Sequence, residues 1–92
     1  MIQSFKDRNA QRFFEGHRIA AFQRFAKQAT RRLASLNNAE SLRDLAALSG
    51  NRLKILEGRR RGQYSIRINA QWRICFRWKD KGPCEVEIVD YH

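Results

Sequence analysis

The last three residues, Asp90, Tyr91 and His92, carry side chains that can move protons. An imidazole titrates near neutral pH, a nearby carboxylate can orient it, and a phenol can stack on a base or donate a proton. RNA supplies its own nucleophile, the 2′-hydroxyl. Its cleavage needs a base for that hydroxyl, cations for the phosphorane and an acid for the leaving 5′-oxygen, and no metal ion is obligatory. The alternative for His92 is a frayed terminal residue.

Cations are supplied mainly by arginine and are concentrated in one third of the chain. The 92 residues include 19 Lys and Arg against 9 Asp and Glu, a net charge of +10. Residues 51–79 hold 9 basic residues and 1 acidic residue, a balance of +8, whereas residues 80–92 carry −3. Fourteen of the 19 basic residues are arginine, whose planar guanidinium holds phosphate in bidentate geometry. This distribution favours a polyanionic partner, nucleic acid first, over a basic face that contacts only water.

The first half of the chain predicts helices. Asp7 is a suitable N-cap for a short helix that ends near Gly16. From residue 19 to residue 36, apolar side chains recur at helical spacing, which predicts an amphipathic helix with its apolar stripe in the core. Residues 40–48 predict a further helical turn.

After Gly50 the apolar period changes from 3.6 to 2, which predicts strands with their even-numbered residues buried. The alternation covers three segments, residues 64–68, 72–78 and 86–88, and residues 53–56 are a candidate fourth strand. Residues 2–5 are a candidate edge strand. The expected fold is α+β, with N-terminal helices packed on a small antiparallel β-sheet in one domain over residues 1–92.

Keeping the even-numbered residues on one face also predicts the register of the strands. It pairs Arg67 with Arg73 and, across a loop at residues 79–83, Arg77 with Glu85. Two like charges in such a pair repel by a few tenths of a kcal/mol or more unless an anion lies between them. An anion site is the economical explanation for Arg67 and Arg73, and the alternative is that both side chains splay into solvent.

Composition excludes several other classes of protein. Cys75 and Cys84 fit no metal-ligand spacing and have no supporting cluster, so we expect reduced thiols, no metal and no cofactor. The chain has no run of 18 apolar residues and no apolar signal-peptide region, which predicts a soluble, cytoplasmic protein without membrane contact.

Two parts of the chain are distinctive in combination, the segment GQYSIRINAQWRI at residues 62–74 and the terminal Asp90-Tyr91-His92. Together with Gly50-Asn51-Arg52-Leu53 and the start at residues 1–5, they resemble the HigB branch of the RelE/ParE toxin superfamily, the plasmid maintenance killer proteins. The resemblance implies a RelE-like fold and a bacterial type II toxin. Such a toxin is an endoribonuclease that enters the ribosomal A site, cuts translated mRNA and is neutralised by a helix-turn-helix antitoxin of the HigA kind. The implied partners are therefore the 70S ribosome, mRNA, that antitoxin and, through the antitoxin, operator DNA.

The resemblance also implies roles for individual residues. His92 would be the general acid or base, Tyr91 a stacking or orienting group, Asp90 the partner that orients the imidazole, and Arg73 the phosphate clamp. The alternative for Asp90 and Tyr91 is packing or capping at the end of a strand.

The chain departs from the family at one place. Where relatives often show His-Pro-Leu-Lys-Gly, residues 54–58 read Lys-Ile-Leu-Glu-Gly, so the family's His falls on Lys54 and its Lys on Glu57. Lys54 can contact phosphate, whereas an ionised Glu57 cannot. This departure bears on the identity of the base and on the rate of cleavage.

Further RNA contacts are expected from a basic loop. Gly58 and Gly62 bracket Arg59, Arg60 and Arg61, which predicts an exposed loop whose arginines contact the RNA backbone, with Arg67 as a further RNA contact.

Two other classes of function remain open on the sequence. One is a non-catalytic, ParE-like inhibitor of DNA gyrase, which predicts DNA damage signalling with intact mRNA. The other is a nucleic-acid-binding module with no effect on growth.

Overall fold

The computed structural model describes residues 1–91, and within them helices pack on one antiparallel sheet. The helices are α1 (Arg8–Phe14), α2 (Ala26–Asn38) and α3 (Leu42–Ala47), and a 3₁₀ helix, Ala20–Phe25, leads into α2. The strands are β1 (Lys54–Ile55), β2 (Tyr64–Arg67), β3 (Trp72–Lys79) and β4 (Gly82–Asp90), arranged in the order β1-β2-β3-β4. The α+β architecture predicted from the sequence is confirmed.

The start of α1 is where Asp7 predicts it. The Asp7 carboxylate accepts a hydrogen bond from the backbone N–H of Asn9 at 3.0 Å, so one of the free donors of the first turn is satisfied. Ser41 caps α3 in the same way, since its hydroxyl accepts from the backbone N–H of Asp44 at 3.3 Å.

The single helix predicted over residues 19–36 is divided in the structure. Its first part is the 3₁₀ helix, in which Phe22 and Phe25 lie one turn apart on the same line and are both buried. The side-chain amide of Gln23 donates to the carbonyl of Ile19 at 2.9 Å and supports this tighter turn. The α-helical period begins at Ala26, and the predicted apolar stripe continues along α2.

The core lies between the helices and one face of the sheet. The helical contribution comes from buried residues of the 3₁₀ helix, α2 and α3: Phe22, Phe25, Ala29, Leu33, Leu36 and Leu45. The sheet contributes even-numbered residues, as predicted: Ile66, Ile68, Ile74, Phe76, Val86 and Ile88. Because successive strand residues point to opposite faces, the odd-numbered residues of β2 and β3, with Glu87 and Val89 of β4, face away from the helices.

The predicted register between β2 and β3 is confirmed. Arg67 lies opposite Arg73, and Ser65 lies opposite Cys75. The turn is stabilised by Asn69, whose side-chain oxygen accepts from the backbone N–H groups of Gln71 and Trp72 at 2.8 Å each.

The predicted register between β3 and β4 is correct only at one end. Arg73 lies opposite Val89 as predicted, but Arg77 lies opposite Cys84 instead of Glu85 because the register shifts between residues 75 and 77. Glu85 has a φ of 52° and takes up the extra residue of a bulge. The loop is also shorter than residues 79–83, since Lys79 already pairs with Gly82.

Two short strands predicted near the sheet edges are shorter still in the structure. The candidate strand at residues 53–56 is reduced to β1. Residues 2–5 form only an isolated parallel bridge, between Phe5 and Val86, although the N–H of Lys6 and the carbonyl of Ser4 also bond to Val86. This segment therefore lies along β4 without becoming a strand.

Candidate nucleic-acid interface

A row of polar side chains crosses the face of the sheet that is turned away from the helices. The register places Lys54 of β1, Ser65 of β2, Cys75 of β3 and Glu87 of β4 beside one another. The neighbouring row contains Arg67 and Arg73, which lie opposite each other, and this side of the sheet is the arginine face. Several residues of these rows are buried although they lie outside the apolar core: Ser65, Arg73 and Cys75.

Arg73 is oriented by a fixed set of acceptors. Only 6% of the residue is exposed, and its Nε donates to the Ser65 hydroxyl at 2.7 Å. Its Nη2 donates to the carbonyl of Arg52 at 2.7 Å and to that of Ser65 at 3.4 Å. Arg73 does not splay into solvent, so that alternative is wrong for this side chain. Within residues 1–91, no carboxylate forms an ion pair with it.

Arg52 contributes its backbone to this arrangement. It has a left-handed backbone with a φ of 45°, which costs a non-glycine residue about 1–2 kcal/mol. The hydrogen bond from Arg73 to its carbonyl is one interaction that holds this conformation. Strained backbone conformations of this kind cluster at functional sites.

The positive charge of Arg73 is less favourable in the protein than it would be in water. Burial lowers the pKa of its guanidinium, and the positive charges of Arg67 and Arg52 lower it further, against the opposing influence of Cys75 and Tyr91. Arginine nevertheless stays protonated at physiological pH. The lowered pKa therefore indicates a cation that an incoming anion would stabilise.

Arg60 is held differently, by a carboxylate. Its Nη1 donates to the Gln63 side-chain oxygen and to Glu87 Oε2, both at 3.1 Å, and Lys6 Nζ lies 3.6 Å from the same Glu87 oxygen. Burial works to lower the pKa of Arg60, but the hydrogen bond to Glu87 and the charges of Cys75, Glu87 and Tyr91 together outweigh it and raise that pKa. The predicted exposed loop is thus wrong for Arg60, which is half-buried, whereas Arg59 and Arg61 are exposed.

Cys75 fills the space among these charges as a neutral thiol. Burial raises its pKa, and the positive charges of Arg60 and Arg73 only partly oppose that effect. A thiol that keeps its proton is a weak nucleophile, so Cys75 has a packing role. Both Cys75 and Cys84 are free and buried, in agreement with the predicted reduced thiols.

The predicted proton-transfer residues lie at the end of β4. Tyr91 is half-buried, its backbone N–H donates to the Gln71 carbonyl at 2.8 Å, and its phenol lies near enough to Arg73 and Arg60 to affect the pKa of both. Asp90 is exposed, lies in register with Trp72 and accepts a hydrogen bond from Gln71 Nε2 at 2.8 Å. Asp90 therefore lies on the opposite side of the sheet from Arg67 and Arg73. His92 lies outside the described residues.

The structure brings together part of the predicted set and adds residues that the sequence did not indicate. Of the predicted residues, Lys54, Arg60, Arg67, Arg73 and Tyr91 meet on this side of the sheet. The additions are Lys6, Arg52, Ser65 and Glu87. The register alone could have indicated Ser65 and Glu87, because it places them beside Cys75, whereas the contacts of Lys6 and Arg52 depend on tertiary structure.

Two further features, a metal site and a membrane span, have no candidate within residues 1–91. Among residues 1–91, no three His, Cys, Asp or Glu side chains are grouped so that they could hold a metal ion. No helix in that range is long and apolar enough to span a membrane.

Comparisons with known proteins agree with this architecture. A family model described as the RelE-like toxin of the type II toxin-antitoxin system HigB matches residues 3–92. Toxin HigB-1 of Vibrio cholerae serotype O1 is 36% identical over an alignment of 83 residues, which covers 87% of this chain and 86% of that protein. Two YoeB-YefM complexes from Staphylococcus aureus contain chains of similar fold, with TM-scores of 0.62 and 0.59, identities of 19% and 18%, and coverage of 100% of this chain and 98% of the other.

Proposed function

Because the chain belongs to the HigB-like family of RelE-like type II toxins, we propose that it is a ribosome-dependent endonuclease that cleaves mRNA. The observation that carries the proposal is the state of Arg73, whose guanidinium is buried, is oriented by Ser65 and Arg52, and forms no ion pair with a carboxylate of residues 1–91. A cation that is fixed before the substrate arrives stabilises a developing phosphorane without the cost of reorganisation.

The proposed reaction uses the chain's own side chains and no metal ion. The 2′-hydroxyl of the RNA attacks the adjacent phosphorus, and the bond to the 5′-oxygen breaks, which leaves a 2′,3′-cyclic phosphate and a 5′-hydroxyl. Arg73 holds the phosphate oxygens, and Tyr91 orients or stacks on the base. His92 transfers a proton as acid or base, and Asp90 orients its imidazole.

The remaining cations position the RNA. Lys54 and Arg67 lie on the arginine face, and the exposed Arg59 and Arg61 with the anchored Arg60 extend it toward flanking phosphates. The ribosome supplies the mRNA in its A site. In this proposal the single domain acts in the cytoplasm, and a HigA-type antitoxin neutralises it by covering or competing for this face and links the complex to operator DNA.

Controlled expression of the wild type and of His92→Ala tests this function. We expect the wild type to arrest growth and to produce new mRNA 5′ ends, mapped by primer extension, only on messages that are being translated. His92→Ala should reduce both effects. Intact mRNA with DNA damage signalling would instead support a gyrase inhibitor, and unaffected growth would support a binding module.

A further inference from the structure

A cavity lined by arginines lies beside the arginine face. It has a volume of about 360 Å³ and lies against the turn between β2 and β3, with Asn69 in its wall. Three arginines from separate parts of the chain line it, Arg32 of α2, Arg52 and Arg67. No acidic residue is among its lining residues in the described part of the chain.

Arg32 is held in this cavity by buried polar groups. Its Nη1 donates to the Asn51 side-chain oxygen at 3.0 Å, and the fully buried Asn51 is itself fixed by donating to the Leu45 carbonyl at 3.1 Å. A solvated arginine would not need such a support. The Arg32 Nε is buried with no hydrogen-bond partner among residues 1–91, so one donor of the guanidinium group is left unsatisfied.

Gly50 makes room for the Arg32 guanidinium. A Cβ atom added at Gly50 would lie 2.8 Å from Arg32 Nη2, which is closer than real Cβ contacts allow. Alanine at this position would therefore displace the guanidinium while leaving every charge of the protein in place.

Arg52 connects the cavity to the Arg73 site. Arg52 is one of the residues that line the cavity, and its carbonyl accepts the hydrogen bond from Arg73 at 2.7 Å. Arg67, the third arginine of the cavity, lies opposite Arg73 in the sheet. Within residues 1–91, none of these four arginines forms an ion pair with a carboxylate. An anion bound among these four guanidinium groups would offset their mutual repulsion, which no ion pair within the described part of the chain does.

We propose that the cavity binds a backbone phosphate of the RNA strand next to the phosphate held by Arg73. The inference rests on the proposed function, because that function places the scissile phosphate at Arg73. Arg52 and Arg67 line the cavity and also adjoin Arg73, so the two anion sites are continuous. This continuity favours two phosphates of one RNA strand over a separate ligand in the cavity. The planar guanidinium groups also match the bidentate geometry of phosphate oxygens.

A salt titration with a non-cleavable RNA tests the cavity. The probe is a six-nucleotide RNA that is 2′-O-methylated throughout, and its affinity is measured from 50 to 200 mM salt. Relative to the wild type, Arg32→Gln should bind more weakly, and the slope of log affinity against log salt should fall by about 0.7, the value for one phosphate contact on a single strand. Gly50→Ala should weaken binding in the same direction with no change in net charge.

The matched control is Arg31→Gln, which removes the same charge from the neighbouring exposed position of α2. We expect this variant to keep nearly the wild-type slope. The resonance of the Arg32 Nε–H, followed by NMR in the wild type, should shift when the RNA is added. Melting curves identify variants that fail to fold, and Gly50→Ala provides the test if Arg32→Gln is one of them.

Equal slopes for Arg31→Gln and Arg32→Gln, with no shift of the Nε–H resonance, would overturn the cavity proposal. So would an Arg32→Gln variant that loses affinity only for an acidic protein partner. These results are separable from a failure of the proposed function. That function is judged by whether the wild type cleaves translated mRNA, which does not depend on the slopes.

Discussion

Arg73 depends on Ser65 for its orientation, because the serine hydroxyl accepts the Nε hydrogen bond at 2.7 Å and is fully buried. Ser65 touches no substrate in the proposed mechanism, so it is a positioning residue. A buried guanidinium that loses one acceptor keeps its charge but loses its fixed direction.

Ser65→Ala should therefore lower the rate of mRNA cleavage about tenfold. Leaving the Arg73 Nε unpaired should also reduce the free energy of unfolding by about 1–3 kcal/mol. Single-turnover cleavage on programmed ribosomes and denaturant unfolding measure the two effects. Ser65→Thr, which keeps the hydroxyl, should recover most of the rate, and a wild-type rate for Ser65→Ala would remove Ser65 from the mechanism.

Cys75 gives a pH prediction whose sign follows from its raised pKa. The folded thiol keeps its proton at pH values where the unfolded thiol, with a pKa of about 8.5, has lost it. The folded state then binds more protons, so the free energy of unfolding contributed by Cys75 falls as pH rises above about 8.5, by at most about 1.4 kcal/mol per pH unit. The measurement compares the wild type with Cys75→Ala between pH 7 and 10. If the difference between the two proteins does not decrease with pH, the thiol is not buried as described.

At the scale of elements, the segment before α1 is fixed to the last hairpin by close backbone contacts. Gly82 begins β4 with a φ of 134°, and a Cβ atom there would lie 2.8 Å from the carbonyl oxygen of Met1. The same segment leads to Lys6, which pairs with Glu87 on the arginine face. The hairpin therefore helps to place one cation of the site.

Gly82→Ala should destabilise the protein by about 2–3 kcal/mol, because it adds a steric clash to an unfavourable φ. Gly16→Ala is the matched control, since Gly16 has a φ of 102° with nothing within 4 Å of an added Cβ. We expect the control to cost about 1 kcal/mol, which is roughly 4–8 °C in melting temperature for a chain of this size. Equal losses in melting temperature would show that the contact with Met1 does not matter.

The elements also show how far the sequence predicts the structure. Periodicity predicts the sheet and its inner face, and the short turn at Asn69 makes the register between β2 and β3 predictable. The bulge at Glu85 is not predictable, because glutamate has no preference for a φ of 52°. The burial of Arg73 depends on the carbonyl of Arg52, which is distant in sequence, so sequence reasoning finds the residue but not its state.

At the scale of the whole molecule, the net charge of +10 attracts any polyanion, whereas chemistry depends on a few oriented groups. Arg59 and Arg61 are exposed, so they contribute to the general attraction of a polyanion and are not among the oriented groups. The two contributions should respond differently to mutation.

Replacing Arg59 and Arg61 together by glutamine should weaken binding to programmed ribosomes about tenfold and flatten its salt dependence, because two phosphate contacts are lost. The position of cleavage should not move, since Arg73 is unchanged. Binding titrations at several salt concentrations, with primer extension on the same samples, measure both properties. A shifted cleavage position would place these arginines in the catalytic arrangement instead.

The most direct test of the account is the single-turnover cleavage rate of Arg73→Lys on programmed ribosomes at saturating toxin, compared with Arg31→Lys. Lysine keeps the positive charge but lacks the planar guanidinium group. In Arg73 that group hydrogen-bonds to Ser65 and Arg52 and, in the proposed mechanism, holds the phosphate at the same time. We predict a fall of about 100-fold for Arg73→Lys, measured at a temperature where melting curves show both variants folded, and a wild-type rate for Arg31→Lys. Equal rates for the two variants would contradict the claim that an oriented, buried Arg73 stabilises the reacting phosphate.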